Sequence, residues 1–172
     1  MIVPLQIRKF RKFSRKPRYV IIHDTSCQSP SDAALIIDSP MPQTNYLRGK
    51  LWTTKTMHDV PYHYVIERVK QEIEVVMGRP FGVHCDYDDI PSPYDFSYHI
   101  AIMGNYEKDI PHPRLYQKMC YNCLSPMIRM SGIGIKRIFL HSEVSTNKDL
   151  SCPGSFFVKD RLMATLKNML IT

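Results

Sequence analysis

The sequence predicts an α/β fold: a single domain with a central mixed β-sheet of about five to six strands, flanked by helices. Three observations lead there. Short β-branched or aromatic runs recur along the chain, as in YVIIH, EIEVVM and YHIAIM. Stretches with helical spacing of apolar residues separate several of them, the pattern of an α/β chain. Two adjacent runs are joined by so short a polar link that a hairpin is the simplest reading, which makes the sheet mixed. With 172 residues, 44% of them hydrophobic, the chain has the length and composition of one core.

Taken in order, residues 1–18 form a basic arm, residues 19–154 the core and residues 155–172 a C-terminal helix. The first strand is Tyr19 to His23, a buried run entered from Pro17. Cys27 to Pro42 is mainly loop, with a helical turn at Ala33 to Ile37. Asn45 to Met57 reads as a helix that turns Leu47 and Trp52 inward and ends at Pro61. Tyr62 to Arg68 and Glu72 to Met77 make the hairpin, and strict alternation would put Tyr62 and Tyr64 on one face and His63 and Val65 on the other. His63 then reads as a buried, hydrogen-bonded histidine.

Phe81 to Phe96, with its glycine and prolines, reads as a surface loop of functional length. Tyr98 to Met103 is a strand closed by Gly104. Pro113 to Ser131 has a helical stripe of Leu115, Met119, Leu124, Met127 and Ile128, broken or kinked at Pro126. Lys136 to His141 is a further strand. Ser155 caps a last helix that points Phe157, Leu162, Leu166 and Leu170 inward.

Composition excludes several classes. No apolar run approaches the roughly 20 residues that span a bilayer, so no integral membrane segment is expected. The first ten residues lack a secretory signal pattern, which predicts synthesis in a cytoplasm. Five cysteines at irregular spacing argue against a disulfide scaffold and for thiols or metal ligands. The net charge of +7 is concentrated between Arg8 and Arg18, where it is either a solvated arm or a surface for polyanions. Cys120 and Cys123 form a CxxC without a second pair, so they read as helix residues rather than as a zinc ribbon.

Two strand ends carry His23 and His141, and the loop after the second carries Cys152 beside Pro153 and Gly154. Imidazole and thiolate are zinc ligands, and three protein ligands plus a water is the arrangement of a catalytic zinc. Singly, each of these residues has an ordinary reading: a hydrogen-bonded histidine or a small buried thiol. Glu143, two residues past His141, is placed to accept a ligand's second ring N–H if the strand continues.

Read in order, YVIIHDTS, VPYHYVIER, GRP, GVHC, SYHIAIMGNYE, FLHSEVS and SCPG resemble the type-2 N-acetylmuramoyl-L-alanine amidase family, which includes phage amidase endolysins and animal peptidoglycan-recognition proteins. The resemblance runs from about Tyr19 to Gly154. It implies one zinc ion held by His23, His141 and Cys152, a catalytic Tyr62, and a substrate contact from His84; Arg79 and His99 are further candidates for substrate contact. The family's lysine or threonine two residues before the cysteine is Leu150 here, and Lys148 is the nearby cation assigned catalytic help. His99 stands where the family's strand has glycine, and Ala101 where bacterial recycling amidases have glutamate.

The implied reaction is hydrolysis of the amide between N-acetylmuramic acid and L-alanine of peptidoglycan, as by a phage endolysin made in the host cytoplasm and acting on the cell wall after release. The implied partner is a muropeptide, with a monomer expected and nucleic acid not expected. The alternative is a non-catalytic peptidoglycan-binding module of the same fold.

Overall fold

The computed structural model describes residues 12–25, 62–69, 72–77, 81–85 and 87–171. The expected helix at Asn45 to Met57, the turn at Ala33 to Ile37 and the GRP word with Arg79 lie outside the described residues.

Five strands form one mixed sheet: β1 (Tyr19–Asp24), β2 (Tyr64–Val69), β3 (Glu72–Met77), β4 (Ser97–Ile102) and β5 (Ile138–Leu140), in the order β3-β2-β4-β1-β5. The β2–β3 hairpin is antiparallel, and β2, β4, β1 and β5 run parallel. Parallel strands covered on both faces are apolar throughout, and all six residues of β4 are buried. That is why YHIAIM reads as an uninterrupted run.

Alternation along the strands divides the two faces. Val20, Ile22, Tyr64, Ile66, Tyr98, Ile100 and Ile102 point into the main core. Helix α1 (Pro113–Lys118), a π-helical turn at Met119–Leu124, α2 (Ser125–Ser131) and the last helix, α4 (Lys159–Ile171), supply Leu115, Met119, Leu124, Met127, Leu162 and Leu166 to the same core. The expected break at Pro126 takes the form of this π turn. Proline has no N–H and its ring crowds the carbonyl four residues back, and the widened turn, with Ser125 N–H donating to Cys120 O five residues back, accommodates it without ending the rod. Cys120 and Cys123 lie within it, fully buried. Burial pushes the Cys120 thiol up to about 12 and raises Cys123 too, so the CxxC is inert packing.

Three expectations at element ends are corrected. β2 begins at Tyr64, and the chain bends at residues 62–63, so Tyr62 and Tyr64 do not share a face: Tyr64 enters the main core while Tyr62 packs beside His23 on the other side. β5 stops at Leu140, and His141 opens a single helical turn, α3 (His141–Val144). Ser155 does not cap the last helix. Its N–H and hydroxyl both donate to the Glu107 carboxylate, and the helix starts at Lys159 with Leu170 partly exposed.

The opposite face of the sheet, carrying Ile21, His23, His99 and Ala101, is covered by residues of the loop after β3. Within it Val83, His84, Cys85 and Ile90 are buried, which corrects the surface-loop reading. Ile90 packs on Ile21 and Val144 with Tyr87, Tyr94 and Phe139 around them, a burial of about 1.5–3 kcal/mol for the isoleucine alone. The basic segment is anchored rather than free from Lys12 onward. Lys12 bridges to Val83, Phe13 N–H donates to Gly82 O, and the Arg15 guanidinium sits 3.8 Å above the Phe96 ring. No helix among the described residues is long and apolar enough to cross a membrane.

Gly154 closes the loop that carries Cys152. Its φ is +97°, and a Cβ there would lie 2.3 Å from Tyr106 C and 2.6 Å from Glu107 N. Both the conformation and the space exclude a side chain. Gly154→Ala is expected to lower stability by about 3 kcal/mol or more, read as a fall in thermal midpoint or as loss of soluble protein.

Candidate metal centre

His23 sits at the carboxyl end of β1, His141 just past the end of the neighbouring β5, and Cys152 on the following loop. One ligand atom from each lies within 4.8 Å of the other two. The sequence-predicted trio therefore converges, where open α/β sheets generally place ligands. The His23 and His141 rings are 4.4 Å apart between centroids.

Each member has a second partner. His23 Nε2 is 2.8 Å from His99 Nδ1. His141 Nε2 is 2.9 Å from Asp89 Oδ2. Cys152 Sγ accepts from Asp24 N–H at 3.2 Å, and Cys152 O accepts from Ser142 N–H. Asp89 is itself held in place: its carboxylate accepts from Ser145 Oγ at 2.5 Å and its carbonyl from Thr146 N–H at 2.8 Å.

The donor set fits a divalent cation. Burial, and then the neighbouring His141, hold His23 well below the usual imidazole range. Burial also lowers His141, outweighing the opposing pull of Asp89. Both rings are thus neutral at pH 7, the form that ligates. Burial and the Asp24 carboxylate push the Cys152 thiol up, an arrangement a bound cation reverses by favouring the thiolate. Such a cluster could hold one metal ion.

The lowered histidines set a pH dependence. The unfolded chain takes up protons at both near pH 6.5, whereas the folded metal-free protein resists them. Stability is therefore at its full value above about pH 7.5 and falls as pH drops through 6.5, because the unfolded state then binds more protons. Denaturant midpoints of the metal-free protein between pH 8 and pH 5 should show this fall, shallower in a His23→Gln variant.

Tyr62 reaches the same place, its ring 5.4 Å from that of His23. Its phenol is pushed up to about 12, chiefly by burial, with a hydrogen bond between it and Tyr87 pulling the other way. The two phenols share this hydrogen bond, and burial raises Tyr87 as well.

The other predicted residues are placed differently. His99 is buried against His23 rather than facing an open groove. His84 is 2% exposed, packed on Phe13 and Phe96 with Nδ1 held to Asp95 O. Lys148 donates its ammonium to Ser145 O at 3.3 Å, in the turn after α3. Glu143 accepts from Leu140 N–H and pairs with Lys159, capping α3 instead of supporting His141, because the strand on which its orientation depended ends before it. Asp89 takes the place foreseen for Glu143. Neither Asp89 nor Tyr87 carried a sequence signal, since both lie in an aperiodic loop.

A family model described as N-acetylmuramoyl-L-alanine amidase matches residues 13–155, most of the chain. The chain belongs to this amidase family. No curated protein sequence matches it significantly. Among solved structures it is similar to the N-acetylmuramoyl-L-alanine amidase LysC from Clostridium intestinale, with 18% identity, a TM-score of 0.58, and coverage of 88% of this chain and 86% of that one. It is also similar to an endolysin from a Thermus scotoductus bacteriophage, with 15% identity, a TM-score of 0.56 and coverage of 94% and 92%. A Drosophila peptidoglycan recognition protein LB matches at 22% identity with a TM-score of 0.53 and coverage of 92% and 84%. At these identities the likeness establishes the fold of this amidase-family chain.

Proposed function

We propose that this protein is a zinc-dependent N-acetylmuramoyl-L-alanine amidase that cleaves the bond between the lactyl group of the sugar and the first residue of the stem peptide, in the manner of an endolysin. The observation that carries this reading is the convergence of His23, His141 and Cys152 within 4.8 Å, in a chain of the amidase family. His23, His141 and Cys152 would hold the ion. A zinc ion so held supplies a nucleophilic water at neutral pH and polarises the scissile carbonyl.

The chain's own residues supply the rest. Tyr62, a phenol at neutral pH, donates to the oxyanion that develops at the carbonyl. Tyr87 fixes the direction of that donation. Asp24 N–H stabilises negative charge on the Cys152 sulfur, and the Asp89 carboxylate, 2.9 Å from His141 Nε2, orients the neutral His141 ring. Lys148 is assigned help with charge at the rim, and Arg79 contact with the muropeptide. The substrate is reached in the cell wall after release from the cytoplasm in which the chain is made, with the protein acting as a monomer.

The test is mass spectrometry of peptidoglycan digested by the zinc-loaded protein. Stem peptides with a free amino-terminal alanine, and glycans with free lactyl groups, are the expected products. Muropeptide binding without cleavage by the zinc-loaded protein would instead identify a recognition module of the same fold.

A further inference from the structure

His99 is buried at 1% exposure in the middle of β4, two residues out of register with His23: His23 pairs with Ala101 and His99 with Ile21. The two side chains share a face, and His23 Nε2 meets His99 Nδ1 at 2.8 Å. Tyr87 lies across both rings, 4.7 Å from His23 and 4.9 Å from His99, at 18° to each. Offset stacking of this kind restrains the tilt of both imidazoles while the hydrogen bond restrains their rotation.

His99 is itself braced. Its backbone N–H donates to His63 Nδ1 at 3.0 Å, and its carbonyl accepts from His63 N–H at 2.9 Å. His63 Nδ1 is thereby an acceptor, so its proton is on Nε2, which donates to Val83 O at 3.1 Å. In this tautomer the brace runs from His99 to the Val83 carbonyl, with Cys85 Sγ 3.4 Å from His63 Nδ1.

A neutral imidazole can coordinate through only one nitrogen, and the partner of the other decides which. Nε2 of His23 is taken. We propose that His99, braced by His63 and clamped by Tyr87, is a positioning residue that fixes His23 with Nδ1 toward the metal. This rests on the zinc reading above and adds to it a defined coordinating atom and a histidine support at a position where the sequence resemblance leads one to expect glycine. His23 then carries its proton on Nε2 and donates to His99 Nδ1, and His99 carries its own on Nε2.

The experiment measures Zn(II) affinity by competition with a chromophoric chelator for the parent, His99→Leu and His99→Asn, with folding checked by circular dichroism. His99→Leu removes the acceptor and is expected to weaken zinc binding about 10- to 100-fold. His99→Asn keeps an acceptor near the Nδ1 position and should stay within about threefold of the parent. Long-range proton–nitrogen correlation spectra of the zinc-loaded parent should show His23 coordinated through Nδ1 with Nε2 protonated. Parent-like affinity in His99→Leu, equal losses in both variants, or coordination through Nε2 would each overturn the proposal. If His99→Leu does not fold, the nitrogen assignment on the parent decides. A parent that binds no zinc overturns the zinc reading first, and is distinguishable because no variant is then needed.

Discussion

Cys152→Ser is expected to reduce amide hydrolysis by on the order of a thousandfold or more, and to release the metal at chelator concentrations the parent withstands. The size follows from what is removed. A catalytic cation contributes several kcal/mol to stabilising the transition state, and each 1.36 kcal/mol is a factor of ten in rate. A serine hydroxyl is a much poorer ligand than a thiolate, and the remaining His23 and His141 cannot close the site alone. Folding should survive, since Cys152 is only half-buried and, among the described residues, its sulfur accepts from the backbone at Asp24 N–H. The measurement pairs zinc content with initial rates on purified peptidoglycan, and treatment of the parent with a chelator should reproduce the loss. Undiminished cleavage by metal-free parent would remove the basis of the hydrolase reading.

The same residues explain what could be read from the chain and what could not. Strands β1 and β4 were legible because burial on both faces makes each a short apolar run, with no alternation to be misread. The ligand trio was legible only through the words around it. Nothing in the spacing of His23, His141 and Cys152 brings them together, since parallel pairing of β1 with β5 does so and that pairing is non-local. Asp89 and Tyr87 were missed for a related reason. The path of their loop is set by Ile90 seating against Ile21 and Val144, a tertiary contact with no local pattern.

The misplacements share a cause as well. Glu143 was aimed at His141 by extending β5 beyond Leu140, and Tyr62 was paired with Tyr64 by extending β2 backward through a bend. Period-two reasoning holds only inside a strand, and each error began at the residue where the ladder ends. Functional side chains concentrate at such ends, because that is where the chain leaves the sheet and can converge on a ligand. The positions most important for chemistry were therefore those where alternation was least informative.

Tyr62→Phe isolates the organic half of the site from the metal half. The substitution keeps the ring that packs 5.4 Å from His23 and deletes only the hydroxyl. Zinc affinity should stay within about threefold of the parent, because the proposed ligands and their supports are untouched. Loss of one preorganised donor to an oxyanion lowers kcat by about 10²–10³, or roughly 2.7–4 kcal/mol, with a smaller change in KM. Tyr87→Phe separates donation from its direction. It removes the hydrogen bond to Tyr62 while leaving Tyr87's ring stacked on His23 and His99, so its effect should be smaller and should vanish in the Tyr62→Phe background. Additive losses in the double variant would mean that the two phenols act on the substrate independently, and an unchanged kcat in Tyr62→Phe would move the oxyanion donor to another residue.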